Sequence, residues 1–429
     1  MTSQPRHSKG PFPLQKGFPG LIIGAMMEEK HKSYAFFLVN LAVFLDTLLY
    51  GIIVPVIPHY ATTLGISTIW LGFIFAAYSA GLLLAGVPSG MACDRFGYRP
   101  VMVGGALGLT LATIAFAFSR SAWILAASRF VQGVAAAATW SAGLALVAIL
   151  YPPQVRGQKM GVAMASTGLG TILGPPVGGA LYQWAGYASP FLLTAVLGLL
   201  LTLLLWCGSW PKNRPSRPRG RFSWAGLLAG PNILLATAIT LAGSFGYGML
   251  EPTLPLHLHE SFDLDSARVG LFFGLFSVTY SLCQPLVGAL ADRLGRKPLI
   301  FAGLLAEAAL LPWLALAKTP AAEASVMALL GFAVGTCSTP LLPLLADSAE
   351  KLLSGNPGIK EEAAPRDSPY GTAFGLTNTV YSLGLVLGPP VGTALLQQHG
   401  FTPVAFTHGA IMGAAALAVA AYMRETLAK

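Results

Sequence analysis

The chain has 429 residues, of which 54% are hydrophobic and 10% charged; soluble globular chains carry about a quarter charged residues. Apolar stretches of membrane-spanning length recur from Tyr34 to Met423, which excludes a soluble domain, and the lack of short alternating strands argues against a β-barrel. The net charge of +9 sits in loops between apolar stretches, so it is not the basic face of a nucleic-acid binder.

In chain order, residues 1–33 read as a cytoplasmic N-terminal tail. Its apolar stretch around Leu21 to Met27 is short and runs into "EEKHK", which does not fit a signal peptide; Met26 and Met27 are alternative starts. Spans are expected at 34–58, 69–91, 101–119, 122–150, 159–182 and 188–208, then at 231–255, 268–291, 299–317, 322–347, 370–396 and 402–423. Each is long enough to cross a bilayer at about 1.5 Å per residue. This divides the chain into an N-terminal six-helix bundle, 34–208, and a C-terminal one, 231–423. Between them lies a basic, Pro-rich cytoplasmic linker, 209–230, and residues 424–429 form the cytoplasmic C-terminus. A second long loop, 348–369, reads as cytoplasmic.

Lysine and arginine gather in alternate loops, at Arg95/Arg99, Arg156/Lys159, the 209–230 linker, Arg293/Arg296/Lys297 and 348–369. The other loops hold only Arg120, Arg268 and Lys318. Positive charge marks the cytoplasmic side, so both termini are expected inside. The four cysteines, Cys93, Cys207, Cys283 and Cys337, never stand at ligand spacing, and neither a metal, a cofactor nor a disulfide framework is expected.

The sequence repeats itself. "GMACDRFGYRP" at Gly90 matches "GALADRLGRKP" at Gly288, placing Asp94 and Asp292 198 residues apart. "GIIVPVIPHY" at Gly51 resembles "GMLEPTLPLH" at Gly248, 197 residues on. "LGPPVGGALY" at Leu173 returns as "LGPPVGTALL" at Leu387. Three landmarks in one order argue for two homologous halves, an arrangement found in transporters. The Gly-Pro-Pro strings, Gly174, Pro175, Pro176 and Gly178, then Gly388, Pro389, Pro390 and Gly392, are expected to kink their helices and expose a small-residue surface for close helix approach.

These motifs carry a resemblance over residues 34–423 to the major facilitator superfamily. The loops after the second and eighth helices resemble its signature loop, and "SRFVQG" with Arg129, Gln132 and Gly133 resembles its fourth-helix motif. "GLGTILGPPVGGALY" resembles the fifth-helix motif of proton-coupled antiporters, and "FLDTLLYGIIVPVIP" the first helix of twelve-helix drug:proton antiporters. "MLEPTLPLHL" and "LGPPVGGALYQWAGYASPF" look closest to vesicular amine transporters and their bacterial relatives. The resemblance implies an all-α membrane fold of twelve transmembrane helices in two six-helix bundles, and no enzyme activity. It also implies a proton-coupled antiporter that exports small cationic or lipophilic amines or drugs, that is, multidrug efflux by alternating access. The expected partners are that substrate, protons and the lipid bilayer, with the chain a monomer in a plasma membrane, as in a bacterial inner membrane.

Intramembrane charge is expensive and functional by default. Asp46, near the middle of the first helix, can hold a proton or a cationic substrate but not both comfortably, because burial favours the neutral form and a nearby cation the ionised one. Glu251 stands before Pro252 in the seventh helix; an interfacial helix-end residue is its plain alternative. Arg129 is always charged and calls for a carboxylate partner, unless it snorkels to the interface. By resemblance, Asp46, Arg129 and Glu251 couple protons, while Asp46, Glu251, Tyr280 and Asn378 contact substrate. Gly90, Asp94, Arg95, Gly97, Arg99, Gly288, Asp292, Arg293, Gly295, Arg296 and Asp347 form gates at the cytoplasmic side. Three positions depart from the pattern: Tyr98 where a basic residue is usual, Asn378 in place of a carboxylate, and Tyr78 in place of a lysine. Glu307 matches no motif. A carrier of another small metabolite, or a non-transporting receptor or scaffold on the same fold, is the alternative.

Overall fold

A computed structural model describes residues 18–151, 153–208, 210, 230–341, 343–345, 347–348 and 369–425. Nearly all of the 209–230 linker and the 348–369 loop lies outside them. Among the described residues there are helices and no strands. The first half contains α1 (Phe18–Thr63), α2 (Thr68–Phe96), α3 (Tyr98–Phe118), α4 (Ala122–Leu150), α5 (Pro153–Ala185) and α6 (Ala188–Cys207). The second contains α7 (Pro231–Phe262), α8 (Ser266–Leu294), α9 (Arg296–Leu310, resumed for one turn at Trp313–Leu316), α10 (Pro320–Ser338), α11 (Pro369–His399) and α12 (Phe401–Tyr422). Among the described residues, eleven helices are long and apolar enough to cross a membrane. The exception, α5, has 33 residues but is diluted by glycine, serine and threonine. The chain is a multi-pass membrane protein.

The first helix begins at Phe18, upstream of the expected start at 34. Nothing between Pro19 and Tyr34 breaks it, and Pro19 falls in the first turn, where a missing N–H is harmless. Other boundaries follow local chemistry. The Asp265 carboxylate accepts from the Arg268 N–H at 2.8 Å, capping α8, and the Thr319 hydroxyl accepts from the Ala322 N–H at 3.2 Å, capping α10. Such caps satisfy donors that the first helical turn leaves unpaired.

Packing repeats with the sequence. In the first half α2 lies on α4, α1 on α5, and α3 on α4 and α6; in the second, α8 lies on α10, α7 on α11, and α9 on α10 and α12. The halves meet through α2 against α11 and α5 against α8, each contact the counterpart of the other. The result is two six-helix bundles.

Both Gly-Pro-Pro strings stand at this junction, inside helices that continue through them. A Cβ on Gly270 of α8 would strike the Pro175 backbone, and one on Gly274 would come within 2.7 Å of the Pro176 ring. A Cβ on Gly72 of α2 would come within 2.8 Å of Pro389 and Pro390 main-chain atoms. Gly179 lies against the Ser266 main chain, and the Ser266 hydroxyl donates to the Pro55 carbonyl at 2.9 Å. These contacts close the end of the molecule away from Arg95/Arg99 and Arg293/Arg296. Toward that basic end, Gly86, Gly90 and Gly161 face open space where a Cβ would stand. Among the described residues, the close crossings between the bundles gather at the end away from those arginines.

Candidate functional site

Where the bundles face each other, α1, α2, α4 and α7 bring charges together. Asp46 of α1, Arg129 of α4 and Glu251 of α7 are 3%, 0% and 1% exposed. The Asp46 carboxylate accepts from the Tyr78 hydroxyl of α2 at 3.0 Å to both oxygens, and from the Trp140 indole N–H of α4 at 2.8 Å. Across the junction, the Tyr50 hydroxyl of α1 donates to Glu251 Oε2 at 2.7 Å. Tyr247 and Tyr381 are close enough to act electrostatically on the same carboxylate.

Arg129 departs from the expected ion pair. Its guanidinium carbon lies 4.5 Å from the Tyr78 ring centroid and 5.4 Å from that of Tyr50. Its Nη1 donates to Gln132 Oε1 at 3.1 Å, and Gln132 in turn donates to the Thr113 hydroxyl at 3.2 Å. Arg129 Nε and Nη2, and Glu251 Oε1, are buried without a hydrogen-bond partner among the described residues. The charge therefore rests on aromatic faces, a cation–π arrangement worth about 2 kcal/mol or more when desolvated. The carboxylates accept from neutral donors and neither forms an ion pair with Arg129, although Arg129 stands near enough to act on both electrostatically.

Tyr280 joins the edge of this cluster: its ring lies parallel to that of Phe276, which is stacked with Tyr247, both at 6.3 Å. Asn378 is exposed on α11, and no contact in the described residues brings its side chain to the carboxylates. Tyr381, one turn on, is 42% exposed although it acts on Glu251, so the cluster borders open space. Glu307 is buried beside Cys337 rather than in the cluster.

At the basic end, Gly97 and Gly295 take φ of 88° and 95° between helices, a backbone that L side chains resist. Arg99 donates through Nε to the Leu205 carbonyl at 3.2 Å and through Nη2 to that of Trp206, at the C-terminus of α6. Its counterpart Lys297 donates to the Ala420 carbonyl at 3.1 Å, near the end of α12. Cations there complement the helix dipole. Arg296 pairs with Asp347 at 2.6 Å, whereas Tyr98 holds the equivalent place in the first copy. Glu425 accepts from the Arg296 and Lys297 N–H groups at 3.2 and 3.0 Å. Asp94 is half-buried; Asp292 and Arg293 are exposed; Arg95 lies 5.2 Å from the Phe96 ring. A Cβ on Gly288 would stand 3.9 Å from the Thr339 methyl.

Sequence reasoning passed over Tyr50, Trp140, Tyr247 and Tyr381. Three could have been found by helical spacing: Tyr50 lies one turn after Asp46 and Tyr247 one turn before Glu251. Trp140 lies three turns beyond Arg129, on the same face.

The sequence profile of the Major Facilitator Superfamily matches residues 39–351 and 233–429. The chain is 31% identical over 333 residues to the chromaffin granule amine transporter of Rattus norvegicus, covering 77% of this chain and 61% of that one. It is 27% identical to the synaptic vesicular amine transporter of Bos taurus, covering 77% and 62%; the match thus spans about three fifths of these relatives. A bacterial homolog to the human lysosomal transporter Spinster, in an inward-facing and occupied conformation, superposes with a TM-score of 0.76 at 15% identity, over 91% of this chain and 96% of that one. The human organic anion transporter MFSD10 superposes at 0.63 with 20% identity, over 90% and 99%. With profile matches running through both halves, and one helix pairing repeated in each, the chain belongs to the Major Facilitator Superfamily.

Proposed function

We propose that this chain is a secondary transporter that exchanges protons for small cationic or lipophilic amines by alternating access. The observation that carries the reading is the pair Asp46 and Glu251, one from each bundle, buried and held by neutral donors. A carboxylate without an ion-pair partner can take a proton or pair with an ammonium, and each occupant disfavours the other. That exclusion is the physical basis of exchange. The aromatic wall of Tyr50, Tyr247, Phe276, Tyr280 and Tyr381 suits a cation with an apolar body. The similarity to amine transporters supports the substrate class.

Amine leaves through the end now closed, and protons enter there. The positive loops support a cytoplasmic position for the basic end. The short turn between α1 and α2 and the absence of any N-x-S/T sequence support a plasma-membrane carrier without a glycosylated loop. At 100 mV each inward proton supplies about 2.3 kcal/mol.

The test is uptake of a panel of amines into proteoliposomes with an imposed pH gradient. Amine accumulation that collapses when the gradient is dissipated is the expected result. Accumulation indifferent to the gradient, or confined to anions, would overturn the reading.

A further inference from the structure

Arg129 poses a problem that the proposed exchange does not solve. It is fully buried, always charged, and electrostatically coupled to both Asp46 and Glu251. Opposite charges in a low-dielectric interior attract strongly. Yet Arg129 forms no ion pair with either carboxylate, and two of its nitrogens are unspent.

Two tyrosines account for this. Each presents its ring face to the guanidinium and its hydroxyl to one carboxylate: Tyr78 to Asp46 at 3.0 Å and Tyr50 to Glu251 at 2.7 Å. The two rings are themselves in contact, with centroids 5.2 Å apart. Tyr50 and Tyr78 thus engage both the cation and the anions, from α1 and α2.

We propose that Tyr50 and Tyr78 are positioning residues that hold Arg129 out of ion pairs with Glu251 and Asp46, leaving both carboxylates free for an ammonium or a proton. The substrate consequence rests on the amine reading above; the positioning itself does not. Tyr78→Phe keeps the face and removes the hydroxyl. Tyr78→Leu removes both and frees Arg129 to neutralise Asp46. Removing Arg129 as well should then restore the vacancy.

The experiment uses purified full-length protein in lipid nanodiscs and tritiated phenethylamine, a small lipophilic amine. Tyr78→Leu should weaken binding roughly tenfold or more, as expected for a desolvated cation–π contact, and Tyr78→Phe by less. Tyr78→Leu combined with Arg129→Gln should bind as well as Arg129→Gln alone. A double variant that binds less well than Arg129→Gln alone, or unweakened binding by Tyr78→Leu, overturns the proposal. A double-mutant cycle on thermal unfolding tests it without any ligand: Tyr78→Leu should lower the midpoint less when combined with Arg129→Gln than alone. Additive shifts overturn it. If wild-type protein binds no phenethylamine, the amine reading fails, and the thermal cycle still decides the role of the tyrosines.

Discussion

Gly133 of α4 lies against the Tyr78 carbonyl of α2, and 198 residues later Gly331 of α10 lies against the Phe276 carbonyl of α8. Gly174 and Gly178 meet Gly51 and Ile52; Gly388 and Gly392 meet Gly248 and Met249. The close helix crossings are the same in both halves. The polar cargo is not. At those spacings Asp46 faces Gly243 in the second half, Tyr78 faces Phe276, Arg129 faces Met327, and Glu251 faces Val54 in the first. The duplicated scaffold is set by small residues. Chemistry was placed on it unequally, with Arg129 and Asp46 in one half and Glu251 in the other, where Glu307 and Glu323 are buried away from the cluster.

This asymmetry is open to attack at four points. Asp46→Asn keeps shape and hydrogen bonding but loses the titration, so proton-driven amine uptake should fall by about a hundredfold or more at matched protein content; uptake at the wild-type rate would move the coupling to the second half. Next, Arg129→Met installs the residue that the second half uses. Transport should drop at least about tenfold, reflecting the lost cation–π contacts, while thermal stability holds or rises, because a buried, unpaired charge is exchanged for an apolar side chain. A collapse of the fold would show instead that the arginine is architectural.

Gly133→Ala and Gly331→Ala should each destabilise the protein by about 1–3 kcal/mol, since main-chain atoms occupy the space of the new methyl. Equal losses in thermal unfolding sharpen the idea of one scaffold used twice; a clear inequality breaks it. The smallest effect belongs to Asp347→Asn. Its pair with Arg296 is partly exposed, so its loss should cost about 0–1 kcal/mol and shrink further in salt. A larger loss in an unfolding titration would make this pair a structural lock.

Much of the fold was legible because hydropathy and repeated glycine strings are local signals. The spans, the duplication and the burial of Asp46, Arg129 and Glu251 follow from them. The first helix was read too short because polar residues at "EEKHK" suggested a tail, although nothing there opposes a helix. The partner of Arg129 was not legible, because pairing depends on which rotamers neighbouring helices permit. A charge in an apolar span asks for a counter-charge by rule; the tyrosines that substitute for one look, in sequence, like packing. Tyr78 had registered only as a missing lysine. Asn378 was expected to contact substrate from its place in a motif, and its exposed position on α11 leaves that role a proposal rather than a geometric fact.

The closed end has an evolutionary consequence. Where Pro175, Pro176, Pro389 and Pro390 meet Gly270, Gly274 and Gly72, much of the opposing surface is main chain and ring rather than trimmable side chain. Drift at such a plug has a direction: the glycines cannot become smaller, so every substitution there adds bulk and wedges the helices apart. Leaks arising at these glycines should therefore be gains of volume. Their suppressors should map to residues that can shrink or shift nearby, such as Thr393, rather than to reversals of charge in the centre.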